Sequence, residues 1–315
     1  MKRTSLVLAA TVAAGLLSAG TAAASDWTMS HLPTPGGDAL RVVATDGAGS
    51  YAGHFDGGLL TWSGGAVHDH GIPAGYNTVD TVDENASGTV LLNSYAISTR
   101  ANRSFVFENG VFQVLENVPG YAQTRVTGIN DRGDIVGRVF NDPRYGSWAA
   151  FWPGGDRAHP VRLDSPPLLS PVDVDHDGTI LMQEQYGGTW LWKDGAAQQL
   201  VLPDGIRESR ALAIRGGKVL ADLEGGPRVW TAFDTSVPVP DGMTANALTS
   251  SGQVAGCMRT PDASTIPAVW SLGGQVETLP APSSGCATIA GENGEVVGTL
   301  AENGPYDTPV VWRRG

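Results

Sequence analysis

Short apolar segments alternate with turns rich in Gly, Pro, Asn and Asp along almost the whole chain. Thr89-Val90-Leu91-Leu92, Gly195 to Leu202 and Gln275-Val276-Glu277-Thr278-Leu279 are examples, and each reads as a strand between turns. Gly or Pro interrupts most windows of helical length, which argues against helix. The segment from Thr89 to Asn109 is the main exception, and its β-branched and aromatic content still favours strands.

The strand pattern repeats. One copy runs from Val126-Thr127-Gly128-Ile129-Asn130-Asp131-Arg132-Gly133-Asp134-Ile135-Val136-Gly137 to Ala149-Ala150-Phe151-Trp152. A second pairs Gly291-Glu292-Asn293-Gly294-Glu295-Val296-Val297-Gly298 with Pro309-Val310-Val311-Trp312, and a third pairs Ser250 to Gly256 with Pro267-Ala268-Val269-Trp270. A turn glycine marks each copy, at Gly49, Gly88, Gly133, Gly178, Gly217, Gly252 and Gly294. An aromatic closing a later strand keeps the same period, at Trp62, Phe107, Trp152, Trp192, Trp230, Trp270 and Trp312. The spacing of roughly 35 to 45 residues is that of propeller-type repeats. About four strands of five to six residues fill such a unit, which is one four-stranded blade. The prediction is an all-β, seven-bladed β-propeller. Six or eight blades stay open, because the first and fifth copies are degenerate.

The two ends suggest how the ring closes. A last strand running into Pro follows most aromatics, as in Val114 to Pro119, Gln199 to Pro203 and Val276 to Pro280. The seventh copy stops at Trp312-Arg313-Arg314-Gly315 and lacks it, while Trp27 to Pro33 looks like such a piece. The N-terminal strand is therefore expected to complete the final blade, which removes the exposed edges of an open array. The recurring Trp or Phe would fill the space between diverging blades. The turn glycines would supply positive φ, and small residues such as Ala255-Gly256 and Gly298 would suit a crowded centre.

The first residues do not fit the repeat. Lys2-Arg3, the apolar run from Leu6 to Leu17 and Ala22-Ala23-Ala24 form a secretory leader over residues 1–24, with an uncleaved anchor as the alternative. Residues 25–315 are then one propeller domain. With no hydrophobic tail after Trp312, secretion is the expected destination. Removing the leader takes the formal net charge from -12 to about -14. That balance argues against nucleic acid, which needs a basic footprint, and against docking on anionic lipid. Cys257 and Cys286 are the only cysteines and fall on successive copies. In an oxidising compartment they are expected to pair, with two buried free thiols as the alternative.

The phrase Ile129-Asn130-Asp131-Arg132-Gly133-Asp134-Ile135-Val136-Gly137, with Ala149-Ala150-Phe151-Trp152 after it, resembles the bacterial extracellular HAF-repeat family. The third, sixth and seventh copies carry the likeness, and the others share only the Gly and aromatic markers. The resemblance implies an exported, propeller-like protein and brings no catalytic residues with it.

Two clusters could carry chemistry. Asp173, Asp175 and Asp177, with Gly178 and Glu184, follow a calcium-loop spacing, in which oxygens converge on a hard cation. The same residues also read as an acidic hairpin turn, since no helices flank them. His54, Asp56, His68, Asp69 and His70 hold half of the six histidines. His68 and His70 share one face of a strand, as a metal pair or a polar edge. Asp83, Arg125, Asp173, Arg210 and Asn246 fall on inner strands and could meet around a channel. Trp148 and Trp190 stand outside the marker positions and could stack on sugars or form a second packing layer.

No nucleophile elbow, helical zinc pair or phosphate loop is present. The expected function is a non-catalytic extracellular binding or interaction module, with a propeller hydrolase or lyase acting on an extracellular polymer or lactone as the alternative. The expected partner is an extracellular protein or glycan, met by a monomer. No cofactor is expected apart from calcium at the acidic loop.

Overall fold

Each of the strand segments named above contains a strand in the computed structural model, and no α-helix occurs among the described residues. Those residues are 26–35, 40–142, 144, 146–166, 168–302 and 308–315. The leader expected over residues 1–24 lies outside them.

The strands form seven four-stranded antiparallel sheets arranged as the blades of a propeller. The first holds β2 (Arg41–Thr45), β3 (Tyr51–Phe55), β4 (Gly58–Ser63) and β5 (Ala66–Gly71), ordered from the centre outward. The second holds β6 (Thr78–Glu84), β7 (Val90–Ala96), β8 (Ala101–Glu108) and β9 (Val111–Val114). The third holds β10 (Gln123–Ile129), β11 (Ile135–Phe140), β12 (Trp148–Trp152) and β13 (Val161–Arg162). The fourth holds β14 (Leu169–Val174), β15 (Ile180–Glu184), β16 (Thr189–Lys193) and β17 (Ala196–Gln199). The fifth holds β18 (Ser209–Arg215), β19 (Lys218–Leu223), β20 (Arg228–Ala232) and β21 (Thr235–Pro238). The sixth holds β22 (Met243–Leu248), β23 (Gln253–Arg259), β24 (Thr265–Ser271) and β25 (Val276–Thr278). The seventh holds β26 (Gly285–Ala290), β27 (Val296–Leu300) and β28 (Thr308–Arg314), and its outer strand is β1 (Trp27–His31). Trp27 pairs with Arg314 and His31 with Val310, so the N-terminal strand closes the ring.

All seven marker glycines take positive φ in the turn between the first and second strands. All seven marker aromatics fall on third strands. Trp152 and Trp312 are fully buried and Trp62, Trp230 and Trp270 nearly so, whereas Trp192 is half-buried. A buried Trp removes roughly 150–250 Å² from water, an upper bound of about 4–6 kcal/mol at ~25 cal/mol/Å².

The indole nitrogens repeat a contact as well. Trp62 donates to the Pro33 carbonyl, Trp152 to Glu116, Trp230 to Val201 and Trp312 to Pro280, each in the outer segment of the preceding blade. The interior filler is thus also a blade-to-blade tie. Trp270 departs by donating to Gly274 on its own blade, and the buried Trp192 Nε1 has no partner.

Two expectations need correction. The outer strands end earlier than predicted, at Val114, Gln199 and Thr278. The next residue leaves the sheet surface to bury its side chain, as Leu115, Leu200 and Leu279 do. The small residues Gly256 and Gly298 are not needed by crowding at the ring centre. They sit on second strands, where a Cβ would come within 1.9 Å of the Thr244 carbonyl and 2.1 Å of the Cys286 carbonyl on the inner strand of the same blade.

Cys257 on β23 and Cys286 on β26 form a disulfide, which joins the sixth and seventh blades. On the other side of the seventh blade, Tyr51 of the first donates to Glu295 at 2.6 Å and accepts from Arg313 at 2.8 Å.

Candidate functional site

Each inner strand carries a β-bulge at the same level, at Val43, Val82, Thr127, Val172, Leu212, Asn246 and Thr288. A bulge re-aims the side chains beyond it. All seven bulge residues line a central cavity of about 820 Å³. The cavity extends to the first-to-second-strand turns, where Asp46, Asp131, His176 and Glu292 stand at its rim.

Below the rim lies a charged group that spans blades. Asp83, the residue after the bulge of β6, accepts from the backbone N–H of Ile129 on the third blade at 3.2 Å. Asp173, at the equivalent position of β14 and only 6% exposed, accepts from the N–H of Ile214 on the fifth at 2.9 Å. Arg215 ends β18 and bridges both: its Nη1 lies 2.5 Å from Asp173 and its Nη2 3.9 Å from Asp83. The Asp173 charge raises the Arg215 pKa, so the guanidinium is permanently charged. Burial lifts Asp83 to about 6 against the pull of Arg215, and the charge of Asp173 adds to the rise.

Glu84 is the next residue on β6 and lines the same cavity. It is 7% exposed, and its Oε2 has no hydrogen-bond partner. Burial, with the charges of Asp46 and Asp83 added, pushes its pKa up to about 8.

The turns at the rim are stitched to each other. Asn85 donates its side-chain amide to the Asn130 carbonyl, and Asn130 donates to the Asp175 carbonyl. Asp131 accepts from the Ala86 N–H, and Glu292 from both the N–H and hydroxyl of Ser250. The Asn of the repeat phrase is therefore a structural residue. It caps its own turn through Oδ1, as Asn130 does for Arg132 and Asp134, and reaches the next blade through Nδ2.

The four acidic residues of the calcium-like spacing do not meet at one point. Asp173 is occupied as described. Asp175 accepts from the N–H groups of His176 and Gly216 with Oδ1 and from Gly217 with Oδ2. Asp177 accepts from the Thr179 N–H and pairs with Lys193. Glu184 lies at the far end of β15, opposite Leu169, while Asp173 stands opposite Leu181. Its Oε2 accepts from the Trp190 indole at 3.3 Å. Among the described residues no group of three or more His, Cys, Asp or Glu stands together as metal ligands.

The histidine cluster is divided between two environments. His70, on the outer strand β5, bonds Thr61 at 2.9 Å and packs its ring 4.4 Å from that of Phe107. His68 is 6.5 Å from His70, and His54 accepts from the Thr81 N–H at 3.4 Å. Trp148 is 44% exposed with the Arg162 guanidinium 4.9 Å from its ring, whereas Trp190 packs partly buried against the apolar cluster shared by the third and fourth blades.

Of the inner-strand residues singled out in the sequence, Asp83, Asp173 and Asn246 line the cavity. Arg125 and Arg210 are exposed and precede the bulge on their strands. Sequence reasoning missed Arg215 and Glu84. One signal could have found Arg215: it occupies the position held by Asn85, Asn130 and Asp175 in other copies, in a turn one residue shorter.

The chain matches no protein-family model and no curated protein in sequence. Solved propellers match it in fold. A catalytically inactive variant of virginiamycin B lyase from Staphylococcus aureus, crystallised with quinupristin, aligns over 91% of this chain and 99% of its own, at 14% identity and a TM-score of 0.53. YCF48 from Cyanidioschyzon merolae aligns over 90% of this chain and 98% of its own, at 10% identity and a TM-score of 0.52. Puromycin hydrolase aligns over 88% of this chain at 15% identity and a TM-score of 0.58, and the alignment spans 52% of that enzyme. At such identities the likeness concerns the fold.

Proposed function

We propose that the protein is a secreted, non-catalytic binding module that takes its ligand in the central channel. The carrying observation is the cavity of about 820 Å³ in which Asp83, Asp173, Asp175 and Arg215 are tied into the wall. Asp83, Asp173 and Asp175 hold backbone N–H groups of neighbouring blades, and Arg215 neutralises the first two. Carboxylates held this way form a pre-set surface for a ligand. The disulfide and the leader-like N-terminus support export, and the resemblance to HAF-repeat proteins is in keeping with it.

The alternative is a hydrolase or lyase acting on an extracellular polymer or lactone. The lyase structure that shares this fold was crystallised with quinupristin, so a propeller of this size can hold a ligand of that kind. One experiment separates the readings. The mature protein and a Leu212→Trp variant, whose indole fills the channel at the bulge level, are incubated with culture-medium metabolites and glycan fragments. Retained compounds are then identified by mass spectrometry. Binding predicts ligands held by the wild type, lost in the variant and recovered chemically unchanged. Recovery of cleaved products would support the enzyme, and equal retention by both proteins would remove the channel from the reading.

A further inference from the structure

A second ring of side chains lies at the mouth of the channel opposite the acidic rim. On β10, Thr124 and Val126 are buried, whereas Arg125 is exposed on the side that Thr127 presents to the cavity. Ser209, Arg210, Ala211 and Leu212 repeat this alternation on β18. Two residues of strand place Arg125 about 7 Å from the bulge level, on the side away from the rim. Arg41, Asp80, Ser170 and Arg210 hold the same place, two before the bulge, on the first, second, fourth and fifth blades.

The other charges of this ring are answered locally. Arg210 pairs with Asp222 at 3.3 Å, and the charges of Asp80 and Arg41 meet at His54, which they shift in opposite directions. Arg125 is different, because the residue directly opposite it on β11 is Arg138. Neither guanidinium has a hydrogen-bond or ion-pair partner among the described residues. Burial and the charge of Arg125 both lower the pKa of the half-buried Arg138, and no acid offsets them. Like charges directly opposite each other on paired strands are destabilising. The chain holds 32 acidic residues against 20 basic ones, so the gap does not come from a shortage of acids.

Two guanidinia without a counter-ion offer planar forks of donors that match an oxyanion. The Ser170 hydroxyl on the neighbouring inner strand also lacks a partner and adds a neutral donor at the same level. A carboxylate or a sulfate ester carries one charge and would leave one guanidinium uncompensated. A phosphate monoester carries roughly two near neutral pH, on three acceptor oxygens. We propose that this mouth of the channel binds the phosphate monoester group of a small soluble ligand, held between Arg125 and Arg138 with Ser170 as a third donor. The site lies on the far side of the bulge ring from the acidic rim. It adds to the channel reading and does not depend on it.

Calorimetric titration with methyl phosphate at pH 7.5 and fixed ionic strength tests the proposal. The wild type should bind it, bind inorganic phosphate no more tightly, and hold methyl sulfate, which has the same shape and one charge fewer, about tenfold more weakly. Arg125→Gln, at an exposed position, and Arg138→Met, which keeps the apolar stem, should each weaken methyl phosphate by about tenfold or more. Arg210→Gln, whose arginine already has Asp222, should change it by less than about twofold. Without ligand, Arg138→Met should melt no lower than wild type, because it removes a repulsion, and Arg125→Gln decides alone if that variant does not fold. No binding by the wild type, equal affinity for methyl sulfate, or an equal loss in Arg210→Gln and Arg125→Gln would each overturn the proposal. An Arg138→Met variant that melts lower yet keeps its affinity would make Arg138 a structural residue and overturn it too. Binding of inorganic phosphate without methyl phosphate would refute the monoester and show a site for the free ion.

Discussion

Arg215 on the fifth blade reaches Asp173 on the fourth at 2.5 Å and stands 3.9 Å from Asp83 on the second, so one guanidinium links three blades. Its side chain is about one-third exposed (32%) and those of both partners are less exposed, so it is the chief compensation for two buried carboxylates. Removing one member of a buried pair leaves an uncompensated charge and costs about 3–5 kcal/mol.

Arg215→Met is therefore expected to lower stability by about 3 kcal/mol at pH 8, the lower end because channel water screens the site. At pH 5 the loss should be smaller. Asp83 already titrates near 6 beside Arg215, and without that cation it would be protonated more completely. Urea melts at the two pH values check this, and an equal loss at both would show that the bridge is not the cause.

Glu84 gives the wild type an opposite-looking trend. Its folded pKa of about 8 lies above the ordinary 4.5, so between those values the folded state binds a proton that the unfolded state has lost. The contribution is fully present below about pH 4.5 and is lost as pH rises through 8. Asp83, lifted from 3.8 to about 6, acts with the same sign over a lower window. Glu84→Gln cannot titrate, so its stability relative to wild type should rise by roughly 3 kcal/mol between pH 5 and pH 8, at ~1.4 kcal/mol per pH unit over part of that window. A constant difference across the range would mean that Glu84 is ordinary in the folded state.

These two groups mark the limit of what the sequence discloses. Strands, blade number, ring closure and the cysteine pairing were legible because each rests on a local signal repeated in phase, such as Gly133 with Trp152. The channel was legible only in part. Asp83, Asp173 and Asn246 could be placed on inner strands, but Arg125 and Arg210 point elsewhere. The reason is the bulge, which interrupts the two-residue alternation between Ala211 and Ala213 and re-aims the residues beyond it, Arg215 included. Glu84 was invisible for another reason. It is buried, and the charge of Asp46 on the first blade acts on it, neither of which any spacing on β6 reports.

The indole contacts predict a contrast between two copies of one position. Trp312→Phe keeps most of the apolar volume but removes the indole N–H that the Pro280 carbonyl accepts, and should cost about 1 kcal/mol. Trp192→Phe removes an N–H that already lacks a partner, so it should be neutral or stabilising once the lost contact area is offset. Thermal melts of both variants decide it, and a larger loss at Trp192 than at Trp312 would contradict the argument.

Reduction of the Cys257–Cys286 bond should weaken the protein without unfolding it. The bond closes a segment with a sequence separation of 29, for which loop-closure entropy gives about 3–4 kcal/mol. Urea midpoints with and without reductant measure this. No shift would mean that the seam between the sixth and seventh blades, already held by Asn246 donating to Ala287, also persists in the unfolded ensemble.

The last prediction concerns the acidic loop after β14. Its spacing suggests calcium, yet its oxygens have other work. Two oxygens of Asp175 hold the N–H groups of Gly216 and Gly217, and Asp177 faces Lys193. A cation would have to break blade-to-blade bonds to gain ligands, and Glu184 stands at the wrong end of β15 to close the shell. Millimolar calcium should therefore leave the melting temperature unchanged. Asp175→Asn should lower it in the absence of calcium, because one oxygen becomes an NH₂ facing an N–H donor. A calcium-dependent rise in the wild type that disappears in Asp175→Asn would show instead that the loop can open to take the ion.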